Sequence, residues 1–195
     1  MIFTAVILTG GRSQRMGRDK AFIEQQGQSL LARQIELVRK LHPEEVLISG
    51  RTGTDYGGFD CPIIHDAFPH RGPLAGIEQA LHLARSPLLL VLAVDMPAMM
   101  GAILMKLLGE CTLNSGVVPR WEDHLEPLAA VYPKTSHRMA HTMLTEGFGA
   151  VHQFARLCVE AGLMRFHEIS PKDRACFTNW NSPEDISKAQ VSPTT

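Results

Sequence analysis

Residues 88–94, Leu88-Leu89-Leu90-Val91-Leu92-Ala93-Val94, form the longest uninterrupted apolar run of the chain. A strand that is covered on both faces reads as a continuous apolar run, whereas a strand with one wet face alternates with polar residues. The run therefore predicts a central strand of a parallel sheet, and it is far shorter than the roughly 20 residues that cross a bilayer. Because the run ends at Asp95, a carboxylate is predicted at the carboxyl end of that strand.

Strand-like and helix-like segments alternate on both sides of this run. Short aliphatic or β-branched runs predict strands, and apolar residues at helical spacing predict helices. The other predicted strands are residues 3–8, 45–49, 61–65, 115–119, 128–132 and 165–169. The predicted helices are residues 31–41, 73–84, 99–109, 135–144 and 151–160, with a short one opened at Ser182. This alternation predicts an α/β fold, a three-layer α/β/α sandwich with a mostly parallel, Rossmann-like sheet.

Length, charge and cysteine content limit the class of protein. We predict one domain over residues 1–190 and a flexible tail over 191–195, because 195 residues are closer to one domain than to two. The 19 Lys and Arg nearly balance the 20 Asp and Glu, so we expect neither nucleic acid nor membrane as a partner. Scattered cysteines and an N-terminus without a basic leader predict a cytoplasmic protein.

Residues 8–20, LTGGRSQRMGRDK, follow the first predicted strand and predict a phosphate-binding loop. Glycines allow the backbone to approach a ligand closely, and successive backbone N–H groups bind anions. Three arginines and Lys20 stand against the single Asp19, a local positive charge that suits a polyphosphate. The spacing matches neither the P-loop nor the dinucleotide fingerprint, so composition alone leaves open a glycine turn beside a solvated basic helix.

The pattern L-x-G-G-x-S-x-R-M-G-x-D-K in this loop resembles the signature of the molybdenum cofactor guanylyltransferase (MobA) family, which are GT-A-like nucleotidyltransferases. The resemblance implies that the loop contacts the guanine and ribose of GTP through Leu8, Thr9, Gly10 and Gly11. It also implies that Arg15 and Lys20 hold the phosphates and act in catalysis. Relatives that use CTP tend to carry Ala-Gly at the glycine pair, which leaves less room for a purine.

A second segment that resembles the same family follows the third predicted strand. Asp66 precedes Gly72-Pro73-Leu74-Ala75-Gly76, a G-P-L-x-G motif that opens a predicted helix. The resemblance implies that Asp66 contacts the GTP and that the two glycines keep the helix start close to it. An ordinary capped helix would explain the proline but not both glycines.

Two further positions are expected to bind a metal ion. A carboxylate at the end of a central strand is well placed to hold Mg²⁺, which prefers oxygen ligands. Asp95-Met96-Pro97 resembles the metal-binding D-x-P of the family, so Asp95 is expected to bind Mg²⁺ and GTP and to act in catalysis. The segment Asn179-Trp180-Asn181 resembles the family's N-x-N, which implies that Asn181 completes the metal shell, although Ser182 and the residues after it also suit a helix cap.

Some residues do not fit the family pattern or carry no assigned role. Ser49 stands where many members of the family that this sequence resembles have an Asn that touches the nucleotide, a difference that bears on nucleotide selectivity. Neither His124 nor Glu126 is given a catalytic role. His137 and His141 have the i, i+4 spacing of a metal pair, but no third ligand is evident from the sequence, so a surface pair is favoured.

The resemblance implies an Mg²⁺-dependent enzyme that transfers GMP from GTP to the phosphate of molybdopterin or molybdenum-molybdopterin. Molybdoenzymes or their chaperones would then receive the product. The sequence leaves open a molybdopterin cytidylyltransferase or a guanylyltransferase for another small phosphorylated acid, such as phospholactate. A regulatory protein that binds GTP without turnover is a third alternative, and a nicotinamide oxidoreductase is disfavoured because its fingerprint is missing.

Overall fold

A computed structural model describes residues 1–10 and 19–180 of the chain. Its main sheet has eight strands in the order β10-β7-β9-β6-β1-β4-β5, with β8 paired to β7. The strands of this sheet are β1 (Thr4–Leu8), β4 (Glu45–Ser49), β5 (Ile63–Ile64), β6 (Leu88–Ala93), β7 (Gly116–Trp121), β8 (His124–Leu125), β9 (Ala129–Pro133) and β10 (Met164–Glu168). A separate two-residue hairpin pairs β2 (Glu24–Gln25) with β3 (Gln28–Ser29).

Most of the main sheet is parallel. Strand β1 lies between β4 and β6 and pairs with both in parallel, and β4 pairs in parallel with β5. Strand β9 runs antiparallel to both of its neighbours, β6 and β7, and β8 runs antiparallel to β7. The last strand, β10, is again parallel to β7. The carboxyl ends of β1, β4, β5 and β6 therefore lie at one edge of the sheet, where ligands bind in open α/β folds.

Helices cover both faces of the sheet. They are α1 (Leu30–Arg39), α2 (Pro73–Leu83), α3 (Gly101–Gly109), α4 (His137–Thr145) and α5 (Val151–Glu160). Buried residues of α1 and α3 pack in one apolar cluster, and those of α2, α4 and α5 pack in another. Strand β6 supplies alternate side chains to both clusters and is buried along its whole length. The predicted three-layer α/β/α sandwich is confirmed.

The structure corrects several boundaries of the predicted elements. Only Ile63 and Ile64 of the predicted strand 61–65 pair with β4, because this is the edge strand and Pro62 has no N–H to donate. The helix predicted at 99–109 begins at Gly101, after Met100 in an extended conformation. The predicted helix after Ser182 and the tail 191–195 lie outside the described residues, so the domain limits stay a prediction. Within the described part of the chain, no helix is long and apolar enough to cross a membrane.

Candidate active site

Backbone contacts bring the ends of β1, β4 and β6 together. The N–H and the hydroxyl of Thr9 both donate to the Ser49 carbonyl oxygen, at 3.0 and 2.8 Å. The N–H of Val94 donates to the Leu8 carbonyl oxygen at 3.1 Å. Leu8, Thr9 and Ser49 are buried at these strand ends. The residues predicted to hold the base and ribose therefore begin at a buried, hydrogen-bonded end of the sheet.

The start of α2 closes against the same strand ends. Its N-cap, Gly72, has a φ of 74°, a conformation that favours glycine. A Cβ on Gly76 would lie 2.5 Å from Ser49 Oγ, 3.2 Å from Leu8 Cδ2 and 3.4 Å from Asp66 Oδ1. Because only a hydrogen fits at Gly76, the helix start can lie directly over Leu8, Ser49 and Asp66. The two glycines of the G-P-L-x-G motif are thus required for separate reasons, Gly72 for its backbone conformation and Gly76 for the close approach of the helix.

Asp66 lies beside Ser49 in this group. Desolvation raises the pKa of Asp66, whereas a hydrogen bond with the Ser49 side chain opposes that rise. The carboxylate of Glu78, in the second turn of α2, adds to the rise in the Asp66 pKa. Ser49, which replaces the family's usual asparagine, therefore contacts Asp66. A contact of Asp66 with the nucleotide stays a prediction.

The other half of the site is an ion pair between the loop that follows β1 and the end of β6. Lys20 Nζ lies 2.7 Å from Asp95 Oδ2, and the two side chains are only 15% and 19% exposed. A partly buried pair of this kind is attracted more strongly than an exposed one, because less water screens it. Two of the three residues predicted to act in catalysis, Lys20 and Asp95, are thus held together at the edge of the sheet.

Lys20 is held in place by its neighbour and by the loop after β4. Asp19 caps a short 3-10 helix, Lys20–Phe22, and accepts a hydrogen bond from the Ala21 N–H at 3.0 Å. The hydroxyl of the buried Tyr56 donates to Asp19 Oδ2 at 3.1 Å, and the Phe22 ring stacks on Tyr56 at 5.7 Å. Asp19, which sequence analysis treated only as part of the motif, therefore anchors the position of Lys20.

Glu126 is a candidate functional residue that sequence analysis missed. It is only 4% exposed, and burial, with a contribution from the charge of Asp95, raises its pKa to about 7. The Leu128 N–H donates to Glu126 Oε1 at 3.1 Å, and the Asn179 side chain also bonds to this carboxyl group. An acidic residue in the apolar segment HLEPLAAVY, directly before a strand that pairs with β6, was the available signal.

The C-terminal part of the described chain reaches the same place. The Trp180 N–H donates to the Asp95 carbonyl oxygen at 2.9 Å. Asn179 Oδ1 is buried and has no hydrogen-bond partner within residues 1–10 and 19–180. Asp95, Glu126 and Asn179 thus bring oxygen atoms to one region, and oxygen is the ligand type that Mg²⁺ prefers.

The predicted site residues divide into two groups. The structure brings Leu8, Thr9, Lys20, Asp66 and Asp95 to the predicted edge of the sheet, and Gly10 follows Thr9 there. The remaining predicted residues, Gly11, Arg15 and Asn181, lie outside the described residues.

The fold is that of the nucleotidyltransferases, as the comparison with solved structures shows. Molybdopterin-guanine dinucleotide biosynthesis protein A from Archaeoglobus fulgidus superposes with a TM-score of 0.75 at 21% identity, over 96% of each chain. The 2-C-methyl-D-erythritol 4-phosphate cytidylyltransferase from Thermus thermophilus superposes with a TM-score of 0.73 at 19% identity, over 98% of each chain. Both likenesses extend over nearly the whole sheet and its helices.

Sequence relatives identify the family. The sequence model of the family described as MobA-like NTP transferase domain matches residues 5–157, and the chain belongs to this family. It is 36% identical to a probable molybdenum cofactor guanylyltransferase from Opitutus terrae, over 92% of this chain and 90% of that protein. It is 33% identical to the molybdenum cofactor guanylyltransferase of Xanthomonas euvesicatoria pv. vesicatoria, over 95% and 93% of the two chains. The resemblance found in the sequence motifs is confirmed.

Proposed function

We propose that the protein transfers GMP from GTP to the phosphate of molybdopterin or molybdenum-molybdopterin, forming molybdopterin guanine dinucleotide and pyrophosphate. The observation that carries the proposal is the Lys20–Asp95 pair at the shared edge of β1 and β6. It stands in a chain that aligns over more than nine-tenths of its length with proteins named molybdenum cofactor guanylyltransferase.

The strand ends around Leu8 supply the proposed guanosine site. Among residues 1–10 and 19–180, a Cβ on Gly10 would meet nothing within 4 Å, so none of these residues fills the space beside it. Leu8, Thr9, Gly10 and Gly11 would lie against the base and ribose, and Asp66 would accept hydrogen bonds from the nucleotide. Because Gly76 brings α2 close to Leu8 and Asp66, the helix start would form one wall of this site.

We propose Mg²⁺ as the metal, held by Asp95 with Asn181 as a further ligand. The donor set fits, since Asp95 and Glu126 offer carboxylate oxygens and the buried Asn179 Oδ1 lacks a partner among the described residues. When bound, the ion would supply neutralisation of charge on the α- and β-phosphates. Trp180, bonded to the backbone of Asp95, precedes Asn181 directly in the chain.

The proposed reaction needs positioning and charge neutralisation more than proton transfer. A phosphate oxygen of the acceptor forms a bond to the α-phosphorus of GTP while the bond to the bridging oxygen of pyrophosphate breaks. Because the acceptor phosphate is already ionised at neutral pH, no strong base is required. Lys20 would exchange Asp95 for the phosphate oxygens and, with Arg15, offset the charge that develops on the leaving pyrophosphate.

The proposal is tested by the release of pyrophosphate from GTP, CTP and ATP, each with Mg²⁺ and molybdopterin. We expect acceptor-dependent release with GTP, at least roughly tenfold faster than with CTP or ATP. The glycine pair leaves room for a purine, and polar groups of the protein that pair with guanine would lack partners when another base is bound. Omission of molybdopterin is the control. Release with CTP alone would make the protein a cytidylyltransferase, and GTP binding without release would favour the regulatory alternative.

A further inference from the structure

A second cluster of ionisable side chains lies outside the candidate active site, between α2 and α4. Glu78 Oε1 is 3.0 Å from His137 Nε2 and 2.9 Å from His141 Nδ1. The three potential ligand atoms all lie within 4.8 Å of one another. The sequence favours a surface pair of histidines because it shows no third ligand. The structure supplies a third group, Glu78, from a different helix, which the sequence spacing cannot reveal.

The carboxylate of Glu78 is buried, and its negative charge would be stabilised by a positively charged partner. Its side chain is only 4% exposed, on a helix whose neighbouring positions, Leu74, Ile77 and Leu81, are fully buried apolar residues. A buried carboxylate is costly unless its charge is compensated. Both histidines approach the same oxygen, Oε1, whereas Oε2 is buried and has no hydrogen-bond partner in the described part of the chain. Because both hydrogen bonds are made at Oε1, the negative charge on Oε2 is not compensated by them. A cation bound to the carboxylate would offset that charge.

The distances suit a small metal ion with imidazole ligands. Zinc binds nitrogen and oxygen at about 2.0–2.2 Å, which separates ligand atoms in a tetrahedron by roughly 3.3–3.5 Å. The separations of 2.9 and 3.0 Å from Glu78 Oε1 would widen by only a few tenths of an ångström. The two histidine ligand atoms, which lie within 4.8 Å of each other, would have to reach the same spacing. His141 is 55% exposed and His137 29% exposed, so an ion can reach the cluster from solvent.

We propose that Glu78, His137 and His141 form a binding site for a divalent transition metal ion, for which Zn²⁺ is the best match. The two imidazoles distinguish this site from the oxygen-only region around Asp95, since imidazole suits zinc and neighbouring transition metals whereas Mg²⁺ takes oxygen. Water would fill the fourth position. The ion links α2 to α4 and so fastens the helix whose first turn forms a wall of the candidate active site.

The test is metal binding by the untagged full-length chain after treatment with a chelator. The parent protein for this test carries Asp95→Asn, which weakens metal binding in the region around Asp95. Binding of Co²⁺ is followed by its visible absorption, and binding of Zn²⁺ by calorimetry and by displacement of Co²⁺. We expect one equivalent of tetrahedral Co²⁺, displaced by Zn²⁺. Because loss of even an indirect partner weakens metal sites by tenfold or more, His141→Ala should weaken binding by at least about tenfold. Saturating Zn²⁺ should raise the Tm by roughly 5–10 °C in the parent and not in His141→Ala.

His152→Ala is the matched control, because His152 is an exposed histidine on another helix, α5. It should bind Co²⁺ and Zn²⁺ as the parent does. Glu78→Gln is a second variant that keeps the size of the side chain and removes its charge, and it should also lose binding. Absence of binding in the parent, or equal affinity in the parent and His141→Ala, overturns the proposal and leaves the cluster as a hydrogen-bonded group that compensates Glu78.

Discussion

The variant Asp95→Asn should release pyrophosphate from GTP at least about 10³-fold more slowly than the wild-type protein, because it loses the carboxylate that would hold the metal ion against the phosphates. Asparagine keeps the shape of the side chain and its acceptor oxygen, so the fold should be retained. Circular dichroism and thermal unfolding check the fold, and steady-state kinetics with GTP and molybdopterin measure the loss. The loss should appear in kcat/KM, since the proposed contact strengthens in the transition state.

Asp60→Asn provides the control for this result. Asp60 is exposed just before β5, with a φ of 50° that asparagine readily adopts. It lies at the opposite end of β5 from Asp66, and the same chemical change there should leave the rate unchanged. Wild-type activity in Asp95→Asn would show that the metal and the reacting phosphates bind elsewhere.

The variant Glu126→Gln changes how stability depends on pH. Burial raises the pKa of Glu126 from 4.5 to about 7. Between those pH values the folded protein holds a proton that the unfolded chain has lost. The free energy of unfolding of the wild type therefore falls as pH rises through this window, and glutamine removes that contribution. Relative to wild type, the variant should gain about 2–3 kcal/mol between roughly pH 5 and pH 8.

Urea unfolding of both proteins at the two pH values measures this difference, in the presence of chelator and without nucleotide. Other titrating groups contribute equally to both proteins and cancel in the comparison. Glu160→Gln makes the same change at the exposed end of α5, and its stability should follow that of the wild type at both pH values. A constant difference between Glu126→Gln and wild type would mean that Glu126 is ionised in the folded protein throughout the range.

Elements with an unbroken apolar run or a strong helical period could be predicted from the sequence. Strand β4 and helix α5 have the predicted bounds, and β6 differs by one residue, because β6 and the middle of β4 are uninterrupted apolar runs and α5 keeps its apolar residues at helical spacing. The β2–β3 hairpin was missed, since each strand has only two residues and too little length for a period. Its turn residues, Gln26 and Gly27, have φ values of 54° and 77°, the geometry of a two-residue hairpin turn.

The candidate site could be predicted where residues follow strands or match the family motif. Asp95 was found because the carboxyl ends of parallel strands meet at one edge, and the roles of Lys20 and Asp66 followed from the resemblance. The Tyr56 contact with Asp19 and the environment of Glu126 depend on segments that are far apart in the chain. The same holds for Glu78 and the two histidines of α4. Contacts between separate elements decide such groupings, and no local pattern contains them.

A crystal structure of the protein with GTP and with Mn²⁺ in place of Mg²⁺ would show where the nucleotide and the metal bind. We expect an anomalous manganese peak bonded to the Asp95 carboxylate and to the triphosphate, with the guanine against Leu8 and with Lys20 turned from Asp95 to the phosphates. A nucleotide bound away from the ends of β1 and β6, or a metal bound to it without Asp95, would mean that the active site lies elsewhere.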